Sequence, residues 1–223
     1  MRTVLRPLAF CLCLVGAMPA AAAQPKESSN SAAAPDKSDL DKRIAECTEA
    51  IKIDPKDAQA FYNRGWAHGQ KGDLDKEIAD YTEALRIDPK LAEALYNRGV
   101  AYAKKDEFNK AISDYTEAIG LEPKDAEAFC GRGLAYVKKG ELDKGIADYT
   151  KAIELNPKLA QAHYNRGLAH GKKGELDKEI ADYTEAIRLD PKDAEAFFHR
   201  AEAYAKKSEQ DRDQAKKLGY KPQ

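Results

Sequence analysis

The sequence predicts an all-α protein, a solenoid of stacked antiparallel helix hairpins, and three observations carry that prediction. The first is a repeat. Asp54-Pro55, Asp88-Pro89, Glu122-Pro123, Asn156-Pro157 and Asp190-Pro191 recur every 34 residues, and units 58–91 and 160–193 agree at 27 of 34 positions, so the units arose by duplication. The second is apolar periodicity. Leu74, Ile78, Tyr81 and Leu85 fall at helical spacing and are echoed by Phe108, Ile112, Tyr115 and Ile119, which draws an apolar stripe along one helix face. The third is that each unit holds two helical patterns separated by a turn, and a lone hairpin keeps apolar surface on both sides that only stacked neighbours can bury.

Residues 1–23 read as a cleaved secretory signal peptide. Arg2 and Arg6 flank the start of an apolar stretch from Leu8 to Val15, well short of the roughly 20 residues a spanning helix needs. Ala21-Ala22-Ala23 supplies the small residues of a cleavage site. The expected location is the periplasm, with no membrane span left after cleavage. Residues 24–37 carry Pro25, Pro35 and polar residues without a periodic apolar face, the composition of a disordered tether. Residues 38–57 hold a second helix of the repeat without its first, with Ile44, Cys47, Ala50 and Ile51 as the packing stripe, and read as an N-terminal capping half repeat.

Four full units follow at 58–91, 92–125, 126–159 and 160–193. In the first, helices are expected over 58–71 and 74–87, with Gly72 between them in the left-handed conformation that closes a helix. Gly140 and Gly174 repeat this turn, whereas Asp106 and Ser208 stand where glycine is missing. Residues 194–223 supply a partial fifth unit, a first helix from Glu195 to Lys206 and a polar capping helix from Gln210 to Leu218. Eleven helices are expected in all.

Charge and composition exclude other classes. Lys plus Arg number 37 against 38 Asp plus Glu, for a net charge of -1, so the chain lacks the basic surface with which a nucleic-acid binder displaces counterions. No nucleic-acid partner is expected. Cys11 and Cys13 lie in the signal segment, and Cys47 and Cys130 are three units apart, beyond the roughly 7 Å that a disulfide tolerates between α carbons. His163 and His170 share a helix face but occupy inward positions filled by Phe61 and Tyr102 in other units, so they read as packed side chains rather than metal ligands. No HExxH, phosphate-loop or GxSxG sequence occurs. No catalytic residue, metal or cofactor is expected, and the chain reads as a non-enzyme.

Arg64, Arg98, Arg132, Arg166 and Arg200 recur at one position of the first helix, and Asp80, Asp114, Asp148 and Asp182 at one position of the second. Their regularity predicts internal forks between guanidinium and carboxylate. Gly65, Gly99, Gly133 and Gly167 are expected to face Ala84, Ala118, Ala152 and Ala186, bringing the two backbones close.

The unit resembles the tetratricopeptide repeat (TPR) family. Counting Ala58 as position 1, Phe61, Gly65, Tyr81, Ala84 and Pro89 fall at positions 4, 8, 24, 27 and 32, and the likeness covers residues 58–207. The arginines at position 7, often leucine in the family, and Glu77 and Glu179 at position 20, usually alanine, depart from it. The resemblance implies a right-handed α-solenoid, the TPR superhelix, with its concave surface lined by first helices. The groove residues it implies are Tyr62, Asn63, Trp66, Tyr96, Asn97, Lys104, Lys138, Tyr164, Asn165 and Lys172.

Rings cover apolar side chains, and an amide both donates to and accepts from a peptide backbone, so this row suits an extended segment. Asn63, Asn97 and Asn165 at position 6 resemble the asparagine ladder of the O-GlcNAc transferase superhelix. The lysine and asparagine clamp by which some family members hold a C-terminal carboxylate is not matched, because Tyr62, Trp66, Glu127 and Gly131 stand at its places. The expected function is an exported scaffold that binds an extended or helical segment of another protein. The alternative is a self-associating structural adaptor in an envelope assembly, and homo-oligomerisation stays open.

Overall fold

The computed structural model describes residues 36–220; the expected signal segment and the tether up to residue 35 lie outside the described residues. Among the described residues there are ten helices and no strand. They are α1 (Lys37–Ile53), α2 (Ala58–Gln70), α3 (Leu74–Ile87), α4 (Ala92–Lys104), α5 (Phe108–Leu121), α6 (Ala126–Lys138), α7 (Leu142–Leu155), α8 (Ala160–Lys172), α9 (Leu176–Leu189) and α10 (Ala194–Lys217). Two compact units divide inside α6, one ending at Ala135 and the other starting at Tyr136. In the first, consecutive helices from α1 to α5 pack on one another; in the second, consecutive helices from α7 to α10 do the same.

Two kinds of turn make this possible. Between the helices of a hairpin, Gly72, Gly140 and Gly174 take φ near +80°, and the amide just after the glycine reaches back across the turn, as Asp73 N does to His68 O at 3.0 Å. Asp106 holds the same geometry at φ 58° without glycine's freedom. Between hairpins, proline denies the helix its next amide. The residue before it closes the turn with its side chain: Asp54, Asp88, Asn156 and Asp190 each accept from the amide two residues on at 2.9–3.1 Å. Asp57 and Asp193 then cap the following helix by accepting from Ala60 N and Ala196 N at 2.9 and 3.0 Å.

The hairpin core is a glycine against a tyrosine. A Cβ added to Gly65, Gly99 or Gly167 would stand 3.0–3.1 Å from the ring of Tyr81, Tyr115 or Tyr183. The small residue therefore receives the position-24 ring, and the expected facing of these glycines on Ala84, Ala118 and Ala186 is corrected. Those alanines are fully buried and leave room on another side of the helix, where in the first unit Ala84 joins Phe61, Leu85 and Leu95.

Three of the predicted arginine forks are seen. Arg64, Arg98 and Arg166 each grip their aspartate through Nε and an Nη at 2.7–3.0 Å. A further bond goes beyond the fork. The remaining Nη of Arg64, Arg98, Arg132, Arg166 and Arg200 donates to a threonine of the preceding helix, Thr48, Thr82, Thr116, Thr150 and Thr184, at 3.1–3.3 Å. Each threonine hydroxyl in turn donates to the carbonyl four residues back at 2.7–2.8 Å. One arginine thus ties its hairpin together and ties it to the previous one. The explanation for arginine in place of the family's leucine is a polar network with its donors satisfied.

The C-terminus departs from expectation. Glu195 to Leu218 is not two helices, because α10 continues without a break through Ser208. Serine lacks glycine's access to the left-handed turn, Arg212 donates to the Ser208 hydroxyl at 3.0 Å within the helix, and the downstream residues offer no apolar stripe to fold back. The helix ends at Lys217, and Gly219 follows at φ +91°, where Tyr220 N donates to Ala215 O at 3.0 Å.

Candidate functional site

In the first unit the candidate residues sit on α2 and α4, which are successive first helices. Tyr62 is buried, its ring 5.6 Å from that of Tyr81, and its hydroxyl accepts from Asn97 Nδ2 at 3.0 Å. This bond joins α2 to α4. Tyr96, half-buried, leans on Tyr115 with ring centroids 5.7 Å apart. Asn63 and Asn97 are half-exposed. Gln59 Nε2 donates to Asn63 Oδ1 at 3.3 Å, which leaves the Asn63 amide nitrogen available, while Asn97 keeps its carbonyl oxygen. Lys104 is exposed at the end of α4.

Trp66 is placed differently. It packs with Leu40 and Ala67 in a small cluster bordered by Ile44, and the Arg43 guanidinium lies 5.1 Å from its ring centroid. The half repeat α1 covers it, so Trp66 is core and not groove, a correction that follows from what a capping helix does.

In the second unit Tyr164 is buried against Tyr183 at 5.6 Å and its hydroxyl donates to Glu195 Oε2 at 3.3 Å. Asn165 is 2% exposed and accepts from Gln161 at 3.1 Å. A run of three open amides is therefore not presented. Lys138 and Lys172 are exposed at helix ends. His163 and His170 are buried beside Asp182, with nitrogens 3.8 Å from its oxygens, and His170 Nδ1 reaches Glu175 Oε2 at 2.6 Å.

The departures at position 20 have a steric explanation. Glu77 is 6% exposed, and a Cβ on Gly69 would come within 2.5 Å of its carboxylate. Gly171 and Glu179 repeat the arrangement at 2.4 Å. Where position 12 carries Ala103 or Val137, position 20 carries Ala111 or Gly145, so volume is exchanged across the hairpin. Oε2 of Glu77 and of Glu179 has no hydrogen-bond partner. Burial pushes the Glu77 carboxyl up to about 7, although Lys104 and the Tyr81 hydroxyl pull it partly back. Glu179 is raised for the same reason, with Lys206 in the place of Lys104.

Models of the tetratricopeptide repeat match residues 46–79 and 92–125, and a related TPR repeat model matches residues 70–106, 133–174 and 172–208. No curated protein matches the sequence. A solved structure of MamA is 30% identical, covers 71% of this chain and 93% of its own, and superposes with a TM-score of 0.67. YrrB, described as a TPR protein with an unusual peptide-binding site, is 25% identical, with 74% and 85% coverage and a TM-score of 0.63. A tetratricopeptide repeat protein from Parabacteroides merdae is 25% identical, with 80% and 71% coverage and a TM-score of 0.69.

Proposed function

Because the chain belongs to the tetratricopeptide repeat family, whose members are generally non-catalytic interaction scaffolds, we propose that it binds an extended segment of a partner protein along α2 and α4. One observation carries this. Asn63, Tyr96, Asn97 and Lys104 present amides, a ring and a cation from two successive first helices, and Asn97 is oriented by its bond to Tyr62. The amides would bond the segment's backbone whatever its sequence, the ring would cover an apolar side chain, and Lys104 would favour an acidic one. Asn165, buried as it is, belongs to helix packing in this reading.

The proposal includes export to the periplasm. Arg2, Arg6, the apolar stretch and the alanines before Gln24 support it, and mass spectrometry of the native protein would find Gln24 at or near its N-terminus.

The binding test is a peptide selected from a displayed library and titrated against the Asn63→Ala/Asn97→Ala protein. Two lost backbone bonds at about 0.5–1.5 kcal/mol each predict roughly tenfold weaker binding, with the melting temperature lowered only by the loss of the Asn97–Tyr62 bond. Equal affinity would show that the selected peptide binds elsewhere.

A further inference from the structure

The described chain starts with a second helix that has no first, α1, and ends with a first helix that has no second, α10. In complete hairpins the first helix meets its partner along positions 4, 7, 8 and 11, as Arg64 on Asp80 and Gly65 on Tyr81 show. On α10 that stripe is Phe197, Arg200, Ala201 and Tyr204, and it is bare: Phe197 is 44% and Tyr204 54% exposed. Arg200 keeps its bond to Thr184 at 3.3 Å and has no aspartate, because the helix that would carry one is missing. The complementary face of α1 is uncovered too. Ala50 is only half-buried where Ala84, Ala118, Ala152 and Ala186 are fully buried, and Ile53 is exposed.

We propose that α1 of a second copy of this chain docks on the bare stripe of α10 and completes the fifth hairpin, giving head-to-tail association. Register and chemistry both select this occupant. Glu46 stands at position 23, where the other units carry the aspartate that accepts the arginine, and it pairs with Lys42 of its own helix at a loose 3.7 Å. It would receive Arg200. Size is matched as well. Ala201 replaces the glycine whose Cβ would come within about 3 Å of a tyrosine ring, and α1 carries Cys47, not tyrosine, at that facing position. The two ends thus differ from the internal units in compensating ways. The junction uses unlike surfaces, so it repeats into rings or open chains instead of stopping at a symmetric dimer. It is independent of the segment-binding surface on α2 and α4.

Sedimentation velocity of the whole protein under reducing conditions tests this, from about 1 to 200 μM, where an interface at the small end of the size range half-saturates. The expected result is a mass that rises with concentration. Glu46→Arg or Arg200→Glu alone should lower the association constant at least tenfold while circular dichroism stays helical. An equimolar mixture of the two variants should associate again, since every junction between unlike variants then sets a positive charge against a negative one, and the double variant should do so by itself. A protein that stays monomeric throughout would overturn the proposal. So would association indifferent to either reversal, a mixture that does not recover, or association lost on removing residues 1–35 with both charges intact.

Discussion

Replacing Glu77 by glutamine isolates the cost of a buried carboxylate from the shape of the side chain. The ordinary glutamate value of 4.5 and the value of about 7 in the folded protein differ by an amount that, at about 1.36 kcal/mol per pH unit, corresponds to about 3 kcal/mol. The sign follows from proton binding. Below about pH 4.5 the group is protonated folded or unfolded. Between about 4.5 and 7 the folded chain keeps a proton that the unfolded chain has released, so stability falls as pH rises, and above about 7 the whole cost is present. Glutamine is neutral throughout and keeps the length that fits over Gly69. In urea titrations at steps from about pH 4.5 to 8.5, the advantage of Glu77→Gln over the natural protein should therefore grow by about 3 kcal/mol. A difference between the two proteins that does not change over that range would refute the reasoning, because it would mean the carboxylate reaches water when charged.

Two further perturbations probe the packing. Gly99→Ala should destabilise by about 1–3 kcal/mol, since its Cβ meets the buried Tyr115 ring at 3.0 Å; Gly72→Ala, with open space but φ +81°, should cost about 1 kcal/mol, and thermal melts compare them. Leu40→Ala should loosen α1 from Trp66, the single tryptophan, and shift its fluorescence to the red with little loss of helicity, since repeats unfold from their ends.

The repeat makes most of the architecture readable before any packing is known. Proline after Asp or Asn, glycine between helices and an apolar stripe are local signals, and duplication printed each of them several times. The arginine and aspartate forks are legible for the same reason, as two columns recurring in step. The threonine column recurs just as faithfully, but its partner is 16 residues away in the next hairpin, and nothing in a single unit points there. Glu77 stands out as a departure from the family, yet its explanation needs Gly69, a residue that is unremarkable until the two helices are packed.

The candidate site is less legible. Position 5 and position 6 mark a face of a first helix, and helical geometry alone assigns Tyr62, Asn63, Tyr164 and Asn165 to it equally. Burial separates them: Asn63 is half-exposed and Asn165 is 2% exposed. Trp66 reads as groove by register and is core because α1 lies over it.

The sequence by itself determined the elements as far as α9, their period, their turns and their family, because these depend on local backbone chemistry and on which face of a helix is apolar. Only the tertiary structure decided which of the repeated side chains remain at the surface, where each glycine's space is used, and that α10 runs straight past Ser208. Those outcomes depend on what each helix packs against, and identical residues in a repeat meet different neighbours at its ends.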